Sequence, residues 1–344
     1  VLADILRIRP KSNLKLVAAR MFYATPDLMQ DFSRTFRGER KLKGTHPKIY
    51  SRFDRYIEEQ YAQENQPKRV LLLVFRGDRA IDDVLEIVGS PRGSPNIDGT
   101  TIRGTYGGFN TSKNGRVTYF EPVVFIPNDP KTSNRGIGLF EDYAQDHPQG
   151  TLESLFDWNA EIKKIQSMGL LEKFQERVYA RTGIQPKDQD LPSNVQNSIF
   201  MVKPPVNGKH PHFPGVFLTY LAGLGRNIIG VHYFHMSVGD FNNFYGHLKD
   251  GALREKPEEF DGLCQMFTGY PSDASEALLT PDPDHACFAF IYQGPYIIPI
   301  IRDIVGPTNP TKWQPGQIRH DFGRNIQMNA VHATGDPNDY SRER

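Results

Sequence analysis

The 344-residue chain predicts an α+β fold built from two similar units, each with its strands and helices in the order βαββαβ. Three observations lead there. The strands "RVLLLVFRG" (69–77) and "CFAFIYQG" (287–294) are rich in β-branched and aromatic residues, both end in glycine, and each meets a further glycine (Gly89, Gly306) across a segment of helical length. Upstream, "LKLVAARMFYATPDLMQDF" (14–32) parallels "NIIGVHYFHMSVGDFNNFY" (227–245): an alternating strand runs into a helix with Thr25 or Ser237 at the cap. Downstream, "GTTIRGTY" (99–106) answers "GQIRHDF" (316–322). "PVVFIPNDP" (122–130) then answers "NAVHATGDP" (329–337) in the same register, with Phe125 where the second copy has His332.

The first unit is placed at 1–139 and ends with the strand in "PVVFI". It has no counterpart of the second unit's first strand, and the opening "VLADILRIRP" reads as a helix already under way. Residues 140–197 form a helical connector and linker. Leu152, Leu155, Phe156, Ile162 and Ile165 recur at helix-like intervals, and "GIQPKDQDLPSNVQN" (183–197) is polar and interrupted by proline. The second unit, 198–344, starts with strand "SIFMVK", followed by helix 214–222, strand 227–235 and helix 238–247. A loop-rich insertion runs to about 285, then come strand 287–293, a helix to 304 with Pro299 in its first turn, a long loop and a strand at 328–332. This order gives a four-stranded antiparallel sheet with helices on one face, the ferredoxin-like sandwich.

Lys plus Arg number 41 against 40 Asp plus Glu, so no global field draws the chain to nucleic acid or an anionic membrane. Cys264 and Cys287 are the only cysteines, which suits a reducing compartment. No apolar run reaches membrane-spanning length, and the start lacks a signal-peptide layout. A cytoplasmic protein is expected.

A histidine at the end of a strand is more often structural than catalytic. Here its company matters. Arg302, Thr308, Arg319, Asn329 and His332 fall on a helix, a loop and a strand that this topology brings together. Two arginines can clamp phosphate oxygens, and a threonine hydroxyl adds a third donor. A neutral imidazole attacks phosphorus when its lone pair faces the phosphate and a carboxylate holds the other ring nitrogen. Glu343, eleven residues on, can supply that carboxylate.

Lys203 in "MVKP", Tyr245 in "FYGHLKD", Arg302, Thr308 in "GPTNP", Arg319 in "GQIRHDF", and Asn329 and His332 in "NAVH" together resemble the nucleoside diphosphate kinases. The likeness covers roughly 198–344 and keeps the family's spacing without a gap from Gly294 to Glu343. It implies transfer of the terminal phosphoryl of a nucleoside triphosphate to a nucleoside diphosphate through a phosphohistidine at His332. By the same likeness Glu343 orients His332, and Arg302, Thr308 and Arg319 hold the distal phosphates. Lys203 and Asn329 hold the ribose hydroxyls, Lys203 also neutralises charge, and Tyr245 lies beside the transferring group. Mg²⁺ comes with the nucleotide, bridging phosphates.

Three departures stand out. "KPPV" lacks the acidic residue usual after "KP", and Ala333-Thr334-Gly335 follows the histidine in place of Gly-Ser-Asp. Leu253 occupies the position of the aromatic residue on which the base stacks, which leaves base binding to Leu253 or shifts it to Phe260 or Phe267. The first unit keeps Arg103 but has Phe125, Ser33 and Leu85 at the nucleophile, tyrosine and helix-arginine positions, and inserts nine residues including "NTSKNGR". It reads as a degenerate packing partner, so that one chain forms a pseudo-dimer and three chains the equivalent of the family's hexamer. The alternative is a non-catalytic nucleotide-binding or scaffold protein that retains the pocket. His232 and His235 sit three apart on a strand, His210 and His212 read as solvated, and "AGLGRN" (222–227) reads as a helix end. No protein-held metal is expected.

Overall fold

The computed structural model describes residues 2–7, 13–36, 47–61, 68–89, 101–114, 117–147, 158–187, 191, 193–204, 213–222, 228–275 and 283–344. The chain divides into two compact units, Val1–Thr151 and Leu152–Arg344. Leu152, Leu155, Phe156, His210, His212 and Gly223–Asn227 lie outside the described residues, as does part of the 183–197 linker.

Unit 1 contains α1 (Leu2–Arg7), β1 (Lys15–Ala24), α2 (Pro26–Thr35), α3 (Pro47–Tyr61), β2 (Lys68–Arg76) and α4 (Ala80–Val88). It continues with α5 (Ile102–Tyr106), β3 (Gly108–Thr111), β4 (Val117–Glu121) and α6 (Pro130–Asp146). β1 buries Ala19, Phe22 and Ala24. It gives way to α2 where the Thr25 hydroxyl accepts from the Leu28 amide and Pro26 opens the helix. β1 and β2 pair antiparallel, with a bulge between Leu16 and Ala18. Phe22, Leu28, Met29, Phe32, Phe36, Ile57 and Phe140 form the core.

Two expectations for this unit change. "PVVFI" is not a strand: Val123 takes a left-handed φ of 62°, and Phe125 lies among the rings of Phe32, Phe36, Phe53, Tyr56 and Tyr61, at centroid distances from 5.9 to 6.3 Å. A strand needs a partner edge, and the described residues of unit 1 offer none at that place. The nine-residue insertion pairs with its own flank instead, as the β3–β4 hairpin. The boundary after 139 also falls inside α6. That helix is capped by Asp129, which accepts from the Thr132 amide at 2.8 Å, and Phe140 is buried among unit 1 residues.

Unit 2 contains α7 (Trp158–Ser167), α8 (Leu171–Thr182), β5 (Val195–Val202), α9 (Phe213–Tyr220), β6 (Ile228–His235) and α10 (Val238–Asp250). Then follow α11 (Pro257–Thr268), β7 (Ala286–Pro295), α12 (Ile297–Val305), α13 (Ile318–Phe322), β8 (Val331–Ala333) and α14 (Pro337–Glu343). Its strands lie in the order β6–β7–β5–β8 with every neighbour antiparallel, the order a βαββαβ chain takes in a ferredoxin-like sheet. Pro299 is the third residue of α12, in the first turn, where its missing N–H needs no partner.

The stretch read as loop-rich holds α11. Pro257 opens it, Glu258 and Glu259 face its positive end, left-handed Gly269 closes it, and Phe260, Leu263, Cys264 and Phe267 form its buried stripe. The centre of the sheet is buried on both faces rather than one. Ile199, Met201 and Cys287 pack with α10 and α11, while Phe200, Val202, Phe288, Phe290 and Tyr292 are fully buried on the opposite side. The unbroken apolar runs "SIFMV" and "CFAFIY" fit that environment. Both cysteines are free and buried. Among the described residues no helix is long and apolar enough to cross a membrane.

Candidate active site

β8 enters the sheet through a strained step. Ala330 has φ 68°, in the left-handed region, at a cost of about 1–2 kcal/mol for a residue with a Cβ. Its carbonyl accepts from the Lys203 amide (3.1 Å), and the Val331 amide turns back to Asn329 O (2.8 Å). Arg319, on α13, ties this corner together. Its Nη2 donates to Val331 O (3.1 Å), and its Nη1 to Gly306 O (2.8 Å) at the end of α12 and to the Thr308 hydroxyl (3.3 Å). Gly306 has φ 88°, and a Cβ there would come within 2.7 Å of Gln317 Oε1, so α12 ends at a position only glycine fits.

The corner sets His332 opposite Met201 of β5. Its side chain is 14% exposed and its Nε2 lies 2.8 Å from Glu343 Oε1. Glu343 sits at the end of α14, which is capped by Asp336. Its other oxygen accepts from the Thr334 hydroxyl (2.7 Å), and Thr334 Oγ1 in turn accepts from the Ile199 amide (2.8 Å). Burial pushes the Glu343 carboxyl up. The bonds from His332 and Thr334 and the nearby positive charge outweigh this and hold it below the usual carboxylate range. An ionised carboxylate only accepts, so the Nε2 proton points at Glu343 and the lone pair is on Nδ1. Nδ1 lies 3.2 Å from the hydroxyl of Tyr245 on α10, and the ring meets Phe244 edge-on at 5.0 Å.

The surroundings are cationic and short of acceptors. Lys203 follows β5, is 6% exposed, and donates from Nζ to Gln327 O (3.1 Å). Burial and then the charge of Arg319 pull its pKa down to about 7. Arg319 falls to about 10, chiefly through burial, with Arg302 adding to the descent. Arg302, on α12, is exposed and reaches the loop after His332: its Nη1 is 3.4 Å from where a Cβ on Gly335 would stand. Thr308 is exposed, and Asn329 Nδ2 donates to Ile326 O (2.9 Å). Two buried polar atoms, Arg319 Nε and Asn329 Oδ1, have no partner. Each such atom costs about 1–3 kcal/mol if left so, and calls for an explanation.

The described geometry thus gathers Lys203, Tyr245, Arg302, Thr308, Arg319, Asn329, His332 and Glu343 around one corner of unit 2. The sequence from 196 to 344 matches the family model for nucleoside diphosphate kinase. A nucleoside diphosphate kinase of Archaeoglobus fulgidus is 42% identical over 149 residues, covering 43% of this chain and 83% of that protein. One of Halalkalibacterium halodurans is 39% identical over 149 residues, covering 43% and 86%. The chain belongs to the nucleoside diphosphate kinase family. Among solved structures, a family protein from Babesia bovis is similar at 27% identity and TM-score 0.33, over 43% of this chain and 84% of its own. The family-model match falls on unit 2.

Other expectations shift. Phe260 and Phe267 are 1% and 0% exposed within the unit 2 core, so neither offers a face to an incoming base. Leu253 is half-buried against the same core. Two features escaped the sequence reading: Phe244 as a wall of the histidine site, and the backbone role of Arg319. The first could have been read from its place beside Tyr245 on a capped helix. The second leaves no trace in spacing, because a phosphate clamp and a carbonyl latch both call for arginine.

Proposed function

We propose that unit 2 is a nucleoside diphosphate kinase that works through His332. The observation carrying this reading is the pairing of Glu343 with Nε2, which leaves the Nδ1 lone pair on the side of the Tyr245 hydroxyl. In the first half-reaction Nδ1 attacks the γ-phosphorus of a nucleoside triphosphate, a P–N bond forms, and the P–O bond to the departing diphosphate breaks. In the second, a terminal phosphate oxygen of another nucleoside diphosphate attacks that phosphorus and the electron pair returns to Nδ1. Glu343 stabilises positive charge on the phosphorylated ring, and Thr334 holds Glu343 in place. Arg302, Arg319 and Thr308 take the phosphate oxygens, with Arg319 Nε as a ready donor. Asn329 Oδ1 and Lys203 take the ribose hydroxyls, and Tyr245 flanks the transferring group. In-line positioning and charge stabilisation are what phosphoryl transfer asks for.

Mg²⁺ fits as a passenger on the nucleotide. Among the described residues no group of three or more His, Cys, Asp or Glu could hold a metal, whereas the cationic corner suits a phosphate chain. When bound, the ion would neutralise phosphate charge.

Incubation with γ-labelled ATP tests the reading. The chain should take up an acid-labile, alkali-stable label and discharge it to a nucleoside diphosphate. Leu253 at the base position favours a second reading, nucleotide binding without transfer, which predicts nucleotide binding in calorimetry and no label. We further propose that unit 1 is a degenerate copy that pairs with unit 2, so that one chain stands in for a dimer and three for a hexamer. Light scattering that finds a mass other than one or three chains would count against that assembly.

A further inference from the structure

Lys203 of unit 2 is a buried amine with few partners. An ammonium carries three N–H donors, and among the described residues Gln327 O, at 3.1 Å, is the sole acceptor for Nζ. The ring of Phe267 on α11 lies 5.7 Å from Nζ and offers its π face. Two titratable groups on other elements face the amine. Arg319 on α13 opposes its charge, and Cys287 on β7 is a thiol whose pKa burial pushes up. Whether the ammonium persists in this setting turns on where the Gln327 carbonyl points.

That carbonyl is held from several sides. Asn325 Oδ1 accepts from the amides of Gln327 (3.0 Å) and Met328 (2.7 Å), and the Arg324 amide donates to Met328 O (2.8 Å). Asn329 Nδ2 donates to Ile326 O (2.9 Å), on the preceding peptide. The Gln327 side chain leaves the loop altogether. Its Nε2 donates to Glu259 O (3.0 Å) in the first turn of α11 and passes 3.8 Å from where a Cβ on Gly262 would stand. A turn closed only by its own bonds can rock as a body, and a bond to a packed helix removes that freedom. We propose that Gln327 is a positioning residue for Lys203: its side chain, anchored on α11, fixes the carbonyl that receives the lysine Nζ. The bond to Nζ favours the charged lysine over the neutral one. α11, the 324–329 loop and the ammonium therefore act as one unit. The link is a property of the free chain, and its effect on phosphoryl transfer rests on the reading of unit 2 as a kinase.

Two measurements on the full chain test this. With lysines labelled at the ε-carbon, the resonance that Lys203→Met removes reports the charge of Lys203 in the free protein. Its midpoint, about 7 in the parent chain, should fall by roughly one pH unit in Gln327→Met, which keeps the length but donates nothing. Asn325→Ala loosens the same turn from within the loop and should move the midpoint the same way. Lys256→Met removes only the exposed pair with Glu259 (2.7 Å) and should leave it in place. Calorimetry with ADP is the second measurement. Affinity should fall roughly threefold to tenfold in the first two variants, and proton uptake on binding should begin at correspondingly lower pH. A parent chain that binds no ADP would count against the kinase reading, and the free-chain titration would still decide the link. If Gln327→Met does not fold, Asn325→Ala decides. An unmoved midpoint, or an equal shift in Lys256→Met, would overturn the proposal.

Discussion

In unit 1, Arg103 donates from Nη1 to Gly89 O (2.9 Å), from Nη2 to Val124 O (2.8 Å) and from Nε to Pro122 O (3.1 Å). Arg319 repeats the first two bonds in unit 2, to Gly306 and Val331, but its Nε is buried without a partner. The frames around the two arginines match. Val123 and Ala330 share a left-handed backbone, the amides of Val124 and Val331 make the same tight turn, and β1 and β6 bulge at corresponding positions. The chemistry differs at a handful of side chains. Phe125 stands for His332, Gly136 for Glu343, Pro127 for Thr334, Ser33 for Tyr245 and Leu85 for Arg302. A Cβ on Gly136 would meet the Phe32 ring at 3.6 Å, so aromatic packing has taken the space of the carboxylate. The arginine latch therefore serves the fold in both units, and in unit 2 one of its donors, Nε, is left without a partner.

The largest contrast lies at the nucleophile. His332→Ala should remove phosphoryl uptake altogether. Phe125→His should create none, because Gly136, Pro127, Ser33 and Leu85 supply neither an orienting carboxylate nor a phosphate clamp. Labelling of both variants checks this, and any label on the second would mean that unit 1 retains a site. Next come the arginines. Arg302→Ala and Arg319→Ala should each lower turnover by roughly 10²–10³-fold, as removal of one preorganised donor does. Arg103→Ala should leave turnover unchanged yet destabilise unit 1 by about 3 kcal/mol, since three buried carbonyls lose their donor. Arg319→Ala should show both effects, and comparing denaturation with kinetics separates them.

Glu343→Gln keeps the shape but loses the charge that favours a phosphorylated ring, and should slow turnover roughly 10–100-fold, the range for loss of a carboxylate behind a working histidine. Thr334→Val should cost less, since it loosens Glu343 without removing it. Lys203 gives a pH signature. Its pKa falls from 10.5 unfolded to about 7 folded. Across that window the unfolded chain binds more protons, so stability should rise with pH above 7, while the full penalty of the buried charge applies below 7. Nucleotide phosphates favour the charged form, so binding at pH 8 should take up a proton and weaken as pH rises further. Calorimetry in buffers of different ionisation enthalpy reads this directly, and an uptake that persists in Lys203→Met would assign it elsewhere.

Much of this could be read from residue order. Alternation placed β1 and β6, cap residues placed α2 and α10, and the unbroken register from Gly294 to Glu343 placed most of the site. The failures have physical reasons. "PVVFI" has the composition of a strand, but pairing depends on a partner edge that no local pattern reveals. α11 lay unread although Pro257, Glu258, Glu259 and Gly269 signal both its ends. Phe260 and Phe267 looked available for stacking, yet their i, i+7 spacing marks the buried stripe of that same helix.

Leu253 offers the smallest and sharpest test of the difference between a working site and a retained one. It follows α10, its amide donates to Leu248 O (2.8 Å), and its side chain rests half-buried on the unit 2 core. An isobutyl group covers a base by contact alone, whereas an aromatic ring there would add stacking, worth about 1–3 kcal/mol per base where geometry is free. Part of that gain goes to ordering the larger side chain on a surface shaped for leucine. Leu253→Phe should therefore tighten nucleotide binding about threefold to tenfold and leave the rate of the chemical step unchanged, because the base lies far from the reacting phosphorus. Binding calorimetry with single-turnover labelling separates the two quantities. Tighter binding at a constant step places the base at residue 253. An unchanged affinity would mean that the base rests on another surface, and an altered step that residue 253 touches the phosphate end of the site.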